Sequence, residues 1–240
     1  MIKKLSILSL FLSIILLLSA CGFEFVGHVA SGPVVSRDFE VGSFTGIDIG
    51  GSRDIIYRQS DNFLVVIEQQ ESLFDYQEVY VDGDILRVYL QGAVGNVGTQ
   101  VVTIYAPTLA SVSISGSATA TNWDDISHGS FSLSASGSSQ VSLRLDVGQL
   151  NVQSSGSSGI TLSGSAEHAE ITRGGSGRVL AFDMQMQNAA VQTSGSSRVE
   201  ISVADNLELT TSGSSRVYYS GDPALSILSS SGSSAIIRHD

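Results

Sequence analysis

The feature that most constrains this chain is a Gly-Ser pair that returns at nearly constant spacing through its second half. Pairs beginning at Gly116, Gly137, Gly156, Gly175, Gly195, Gly213 and Gly232 are separated by 21, 19, 19, 20, 18 and 19 residues. Aligned on the glycine, the segments starting at Phe131, Leu150, Ala169, Ala189, Leu207 and Leu225 share one plan. Each has a short alternating run, a Gly-Ser corner, a second alternating run containing Val or Ile, and a polar link. Alternation at period two marks strands with one buried face. Phe131, Leu133 and Ala135 share such a face, as do Val141, Leu143 and Leu145 beyond the corner. Strands this short cannot enclose a core alone, whereas stacked copies cover one another's apolar faces. A Gly/Ser linker would lack an apolar residue at a fixed offset from every glycine.

The expected fold is therefore all-β, a parallel β-helix (β-solenoid) with coils of about 19 residues and Gly-Ser corners. At ~3.3 Å per residue such a coil has a perimeter of roughly 60 Å at most, enough for two or three short faces around a narrow centre. An antiparallel sandwich or barrel is the alternative, but the corner recurs at every second strand and not at every turn. The first half follows the plan less regularly. Phe44 to Ile55 carries the alternating run, the Gly51-Ser52 corner and the returning hydrophobe. An Asp82-Gly83-Asp84 turn between Val79–Val81 and Leu86–Leu90 leaves both wider early coils and a capping hairpin open.

The N-terminus reads as an address. Lys3 and Lys4 precede an apolar run from Leu5 to Leu18, which is short for a membrane span and has the layout of a secretory signal. The run ends in Leu18-Ser19-Ala20-Cys21-Gly22, which resembles the lipobox of bacterial lipoproteins. That resemblance implies cleavage before Cys21, lipidation of its sulfur, and anchoring through several acyl chains. Cys21 is the only cysteine in the chain, which excludes an intramolecular disulfide framework. Gly22, not Asp, follows it, which favours the outer membrane. The chain thus divides into a signal peptide over 1–20, a tether over 21–36 and a single β-solenoid domain over 37–240, placed in the bacterial cell envelope. Phe23, Phe25 and Val26 either belong to a free tether or lie on the membrane surface.

From about Arg37 onward the sequence also resembles the head GIN domain family of bacterial envelope proteins, an auto-transporter adhesin group. The matching pieces, in order, are Phe44-Thr45-Gly46-Ile47-Asp48-Ile49 with its Gly-Ser corner and Asp82-Gly83-Asp84-Ile85-Leu86-Arg87-Val88. The repeated Ser-Gly-Ser corners and Val217-Tyr218-Tyr219-Ser220-Gly221-Asp222-Pro223 complete them. The resemblance implies a right-handed β-helix and no particular activity. The family often places Asp or Asn before the returning hydrophobe, as Asp54 does here, whereas Arg178, Arg198 and Arg216 put the opposite charge there.

Those three arginines are the candidate ligand-binding residues. They occupy one register in consecutive coils, immediately before Val179, Val199 and Val217. Inward valines imply outward arginines, with backbones about 4.8 Å apart. Guanidinium forks recognise carboxylate, sulfate or phosphate, so the stripe suits an acidic polysaccharide. A solvated edge paired to Glu200 and Glu208 is the simpler reading. The formal charge is −11, and removal of Lys3 and Lys4 with the signal takes it to −13 with no lysine left. A chain with that balance is not expected to bind nucleic acid, whose phosphates call for an extended basic face.

No cofactor, metal or catalytic set is expected. His28, His128, His168 and His239 lack ligand spacing, and Glu167-His168 lacks the second histidine of a zinc-protease motif. Asp125, Asp146, Asp183, Asp205 and Asp222 recur between coils and read as turn formers rather than calcium ligands. The expected function is a lipid-anchored, non-enzymatic binding or adhesion module whose partner is an acidic polysaccharide or an envelope protein. The alternatives are a carbohydrate-active β-helix enzyme, a polysaccharide lyase or hydrolase, and a purely structural envelope protein.

Overall fold

The computed structural model describes residues 28–92, 94–95, 98, 100–121 and 123–239. The expected signal and Cys21 lie outside the described residues. The first half holds β1 (His28–Val29), β2 (Val34–Glu40), β3 (Gly46–Ile49), β4 (Asp54–Gln59), β5 (Leu64–Gln70) and a 3-10 helix (Glu71–Tyr76). It continues with β6 (Gln77–Asp82), β7 (Ile85–Leu90), β8 (Val94–Gly95), β9 (Val101–Ala106), β10 (Ser111–Ile114) and β11 (Thr119–Ala120). The second half holds β12 (Ile126–Ala135), β13 (Gln140–Ser154), β14 (Gly159–Arg173), β15 (Arg178–Thr193), β16 (Arg198–Thr211), β17 (Arg216–Ser220), β18 (Ala224–Ser230) and β19 (Ala235–Arg238). The chain is a β-solenoid of about seven turns, with parallel bridges about 19 residues apart.

The second half stacks in sequence order. β12 pairs in parallel with β13, β13 with β14, β14 with β15 and β15 with β16. The segments read from sequence as polar links are themselves strand, because the coil-to-coil ladder satisfies backbone groups whatever the side chain. In β13 the inward series Val141, Leu143, Leu145, Val147 restarts out of phase at Leu150, Val152, Ser154, with Gly148 and Gln149 both outside the core. That slip of one residue is how a continuous strand turns a corner without breaking its pairing.

The Gly-Ser corners stack as strictly as the strands. Each Ser N–H after a corner glycine donates to the glycine carbonyl of the preceding coil, as in Ser157 to Gly137 (2.8 Å) and Ser214 to Gly195 (2.7 Å). Gly156 stands at φ +68°, and a Cβ there would lie 2.6 Å from the Gly137 oxygen. Both the left-handed backbone and the close approach therefore select glycine.

The first half is wound differently. β3 and β4 form one rung, with β7 and β9 stacked in parallel on one side and β10 and β11 on the other. Stacking order thus departs from chain order, since the rung made first ends up between two made later. The end beyond it is closed by antiparallel strands, one hairpin among them, not by wider coils. β2 runs antiparallel to β5, β5 antiparallel to β9, and β6 antiparallel to β7. Leu73 and Phe74 of the 3-10 helix are buried there, and Phe39 stacks on Phe74 at 6.3 Å. Among the described residues, β2 runs across position 37, where the sequence placed the change from tether to domain.

One aliphatic column runs the length of the rod through Leu86, Ile47, Val112, Leu133, Val152, Ile171, Val191, Leu209 and Ile227. All but the last are essentially sealed from water, while Ile227, in the final coil, is 52% exposed.

Candidate functional site

Arg178, Arg198 and Arg216 open β15, β16 and β17 and face one another directly in register. The valines that follow them are fully buried, and the arginines are exposed. The column carries Gln140 and Gly159 in the coils before and Ala235 in the coil after. The cationic run is therefore three rungs long, with backbones about 4.8 Å apart. Arg198, the middle one, is held. Its Nε pairs with Glu200 on the same strand, and its guanidinium lies 4.4 Å over the Tyr218 ring. Arg178 and Arg216 have no ion pair among the described residues. One carboxylate against three guanidinium groups leaves the stripe cationic on an acidic protein, and Glu200 with Tyr218 fixes the orientation of its centre.

About half a coil away along the chain, the two-residue corner creates a groove of about 600 Å³ running across several rungs. Gln149, His168, Asn188 and Asn206 form one column of its wall, and Asn151, Glu170, Ala190 and Glu208 the other. Asn206 donates to the Asn188 side-chain oxygen at 2.7 Å. This surface is suited to hydrogen-bonding hydroxyl groups. Glu170 and Glu208 stand in one column, on one side. A chain in the groove would meet both from the same flank, whereas glycosidic cleavage uses carboxyl groups on either side of the scissile bond. The groove was hidden in the sequence because one of its columns, Gln149, His168, Asn188 and Asn206, sits in the segments taken as links. The signal was present as amides and His168 at one offset from successive glycines.

The aspartates behave otherwise than expected. Asp146, Asp183 and Asp205 lie within β13, β15 and β16, not in turns, because the strands run through the links. Asp125 pairs with Arg144 and Asp222 with Arg238, each at 3.2 Å. Among the described residues no cluster of three or more His, Cys, Asp or Glu is placed to hold a metal ion. Among them, too, no helix is long and apolar enough to cross a membrane.

A family model described as "Putative auto-transporter adhesin, head GIN domain" matches residues 43–223. A putative adhesin from Bacteroides fragilis has a similar structure, with 23% identity, a TM-score of 0.82, and 89% of this chain and 100% of that chain covered. A putative lipid binding protein from Parabacteroides distasonis superposes with a TM-score of 0.74 at 21% identity, covering 88% of this chain and 99% of its own. A putative adhesin from Parabacteroides merdae gives 0.66 at 22% identity, covering 88% and 98%. At these identities the likeness shows the fold. No curated protein matches the chain.

Proposed function

The chain belongs to the auto-transporter adhesin head GIN domain family, and from that membership we propose that it is a non-enzymatic adhesion module of the bacterial envelope. It is anchored by lipid on Cys21, in the outer membrane, and holds acidic glycans along the arginine ladder. The observation that carries this reading is the direct register of Arg178, Arg198 and Arg216 on one exposed column. Guanidinium groups repeating about every 4.8 Å match a polymer that carries an acidic group on successive sugars, and each fork binds a carboxylate or sulfate through two N–H donors. The column arrangement of Glu170 and Glu208 favours binding over cleavage for any sugar chain in the groove.

The experiment is a glycan array probed with the full chain in detergent micelles, beside a variant with all three arginines changed to Gln. Binding to uronate- or sulfate-bearing glycans should weaken with salt and vanish in the variant. Equal binding by both proteins would remove the ladder from the account. The anchor is tested separately, by Cys21→Ser, which should abolish incorporation of labelled fatty acid and release the protein from membranes.

A further inference from the structure

Two arginines of this protein are buried, and their surroundings differ sharply. Arg173 is 1% exposed; its Nε has no partner among the described residues, but Nη1 donates to the Ser154 and Ser158 hydroxyls at 3.2 and 3.1 Å and Nη2 to the Gly156 carbonyl at 3.0 Å. Arg53 is 5% exposed and stands at the inner corner of the first coil, in the column that continues as Ala118 and Ser139. Its Nε and Nη1 are sealed from solvent and have no hydrogen-bond partner among the described residues. No ion pair involves it there either. Burial alone pulls its guanidinium down to about 10. A guanidinium keeps its proton in proteins, so the charge stays, uncompensated, where an unpaired charge is most unfavourable.

Beside Arg53 is a cavity of about 650 Å³, walled also by Gly50, Gly51, Ser115, Tyr89 and Gln100. Among the described residues its lining holds no carboxylate. Asp48, which accepts from the Tyr89 hydroxyl at 2.6 Å, is also paired to Arg87 at 2.8 Å. The Gln100 amide donates to Gln69 and leaves its own oxygen, buried, without a partner. Glycines on the wall leave room for a ligand group to approach the backbone closely.

We propose that this cavity is an oxyanion site, in which Arg53 receives a carboxylate or phosphate group, free or at the end of a larger acidic molecule. The site is independent of the arginine ladder. Four rungs separate the two, from Asp54 through Thr119, Gln140 and Gly159 to Arg178. With Nε and Nη1 sealed, Nη2 is the nitrogen that meets such a group, whose charge compensates that of the buried cation, so occupancy should stabilise the fold with the logarithm of ligand concentration once the site is filled.

The test titrates the full chain in detergent with inorganic phosphate, and separately with glucuronate, at ionic strength held constant with chloride. Melting temperature and equilibrium dialysis are the readouts. Wild type should bind one anion per chain, saturating in dialysis at millimolar ligand, while its melting temperature climbs with the logarithm of concentration above that point. Arg53→Met should melt higher than wild type without ligand and lose the ligand-dependent rise, whereas Arg53→Lys should keep it in weakened form. Saturation by phosphate alone identifies a small free anion, and tighter binding of glucuronate identifies the end of an acidic sugar. Absence of saturable binding by dialysis, or a rise in melting temperature that is equal in wild type and Arg53→Met, would overturn the site. The dialysis result stands even if a variant fails to fold.

Discussion

Arg173 is legible only together with Gly177. In the coils that follow, the inward residue before the corner is Thr193 or Thr211, and the one closing it is Ser197 or Ser215, with Thr193 donating to Ser215 at 2.9 Å. In the Arg173 coil the second position is glycine, and a Cβ there would lie 1.8 Å from Arg173 Nη2 and 2.0 Å from the Ser158 oxygen. The glycine makes room for the guanidinium. Gly177→Ser alone should therefore destabilise by about 1–3 kcal/mol through overpacking, and Arg173→Thr with Gly177→Ser should recover the part of that loss that comes from the guanidinium, the Ser158 backbone oxygen remaining in the way. Urea denaturation of the two singles and the double measures the coupling, and additive effects would refute it. The corner glycines were readable in advance because their backbone demands no alternative. Arg173 and Arg53 were not, since an arginine is normally read as outward. The only hint at Arg173 was Gly-Gly-Ser-Gly standing where other coils have Gly-Ser-Ser. A second residue-scale prediction concerns Tyr57. It is buried, donates to the Ala106 carbonyl at 3.1 Å, and its hydroxyl is pushed up to about 12 by burial first and by the Asp124 charge second. Its folded value lies above its unfolded one near 10, so the stabilisation is complete below about pH 10 and lost as pH rises towards 12. The two-unit difference corresponds to roughly 2–3 kcal/mol, and Tyr57→Phe should flatten the alkaline decline seen by circular dichroism.

Within an element, what decides the value of a side chain is how many rungs cover it. Ile171 and Ile227 occupy the same column of one ladder, three rungs apart with Val191 and Leu209 between them, yet Ile171 is fully buried and Ile227 is 52% exposed. Ile171→Ala should cost about 2–5 kcal/mol, as for a large-to-small change in a close-packed core. Ile227→Ala should stay within about 0.5 kcal/mol, as at a surface position. Comparable losses at the two sites would mean that the last coil is covered in solution. The alternating runs flanking each corner were plain from the sequence because side-chain period and burial coincide there. The polar links were misread for a physical reason. A strand stacked in parallel takes its hydrogen bonds from neighbouring coils, and residues such as Asp146 and Gln149 can point outward without leaving the ladder.

At the scale of the whole rod, the sequence disclosed the regular stack but not the winding of its first half, where β3 and β4 lie between rungs formed later in the chain. Nothing in a local pattern records which later segment returns to cover which face. The irregular end has a consequence for folding, since its rungs depend on contacts distant in sequence, whereas each coil from β12 to β16 depends only on its neighbours. A solenoid built that way has a stability that is close to a sum over coils and their interfaces. Removing residues 159–177 joins Ser158 to Arg178, the residue that faces Gly159 in the next coil, so every later side chain keeps its column. The same cut removes Arg173 together with Gly177, leaving Ser154 and Ser158 to meet Thr193 and Ser197. The shortened protein should fold cooperatively, retain its strand signal by circular dichroism, and lose about one-seventh of its denaturant m-value, in line with the surface of one turn in about seven. Removing only residues 159–168 joins Ser158 to Ala169, takes out about half a coil and sends inward residues outward, and that chain should not fold. If both deletions folded, or neither did, coil register would not be what holds the rod together.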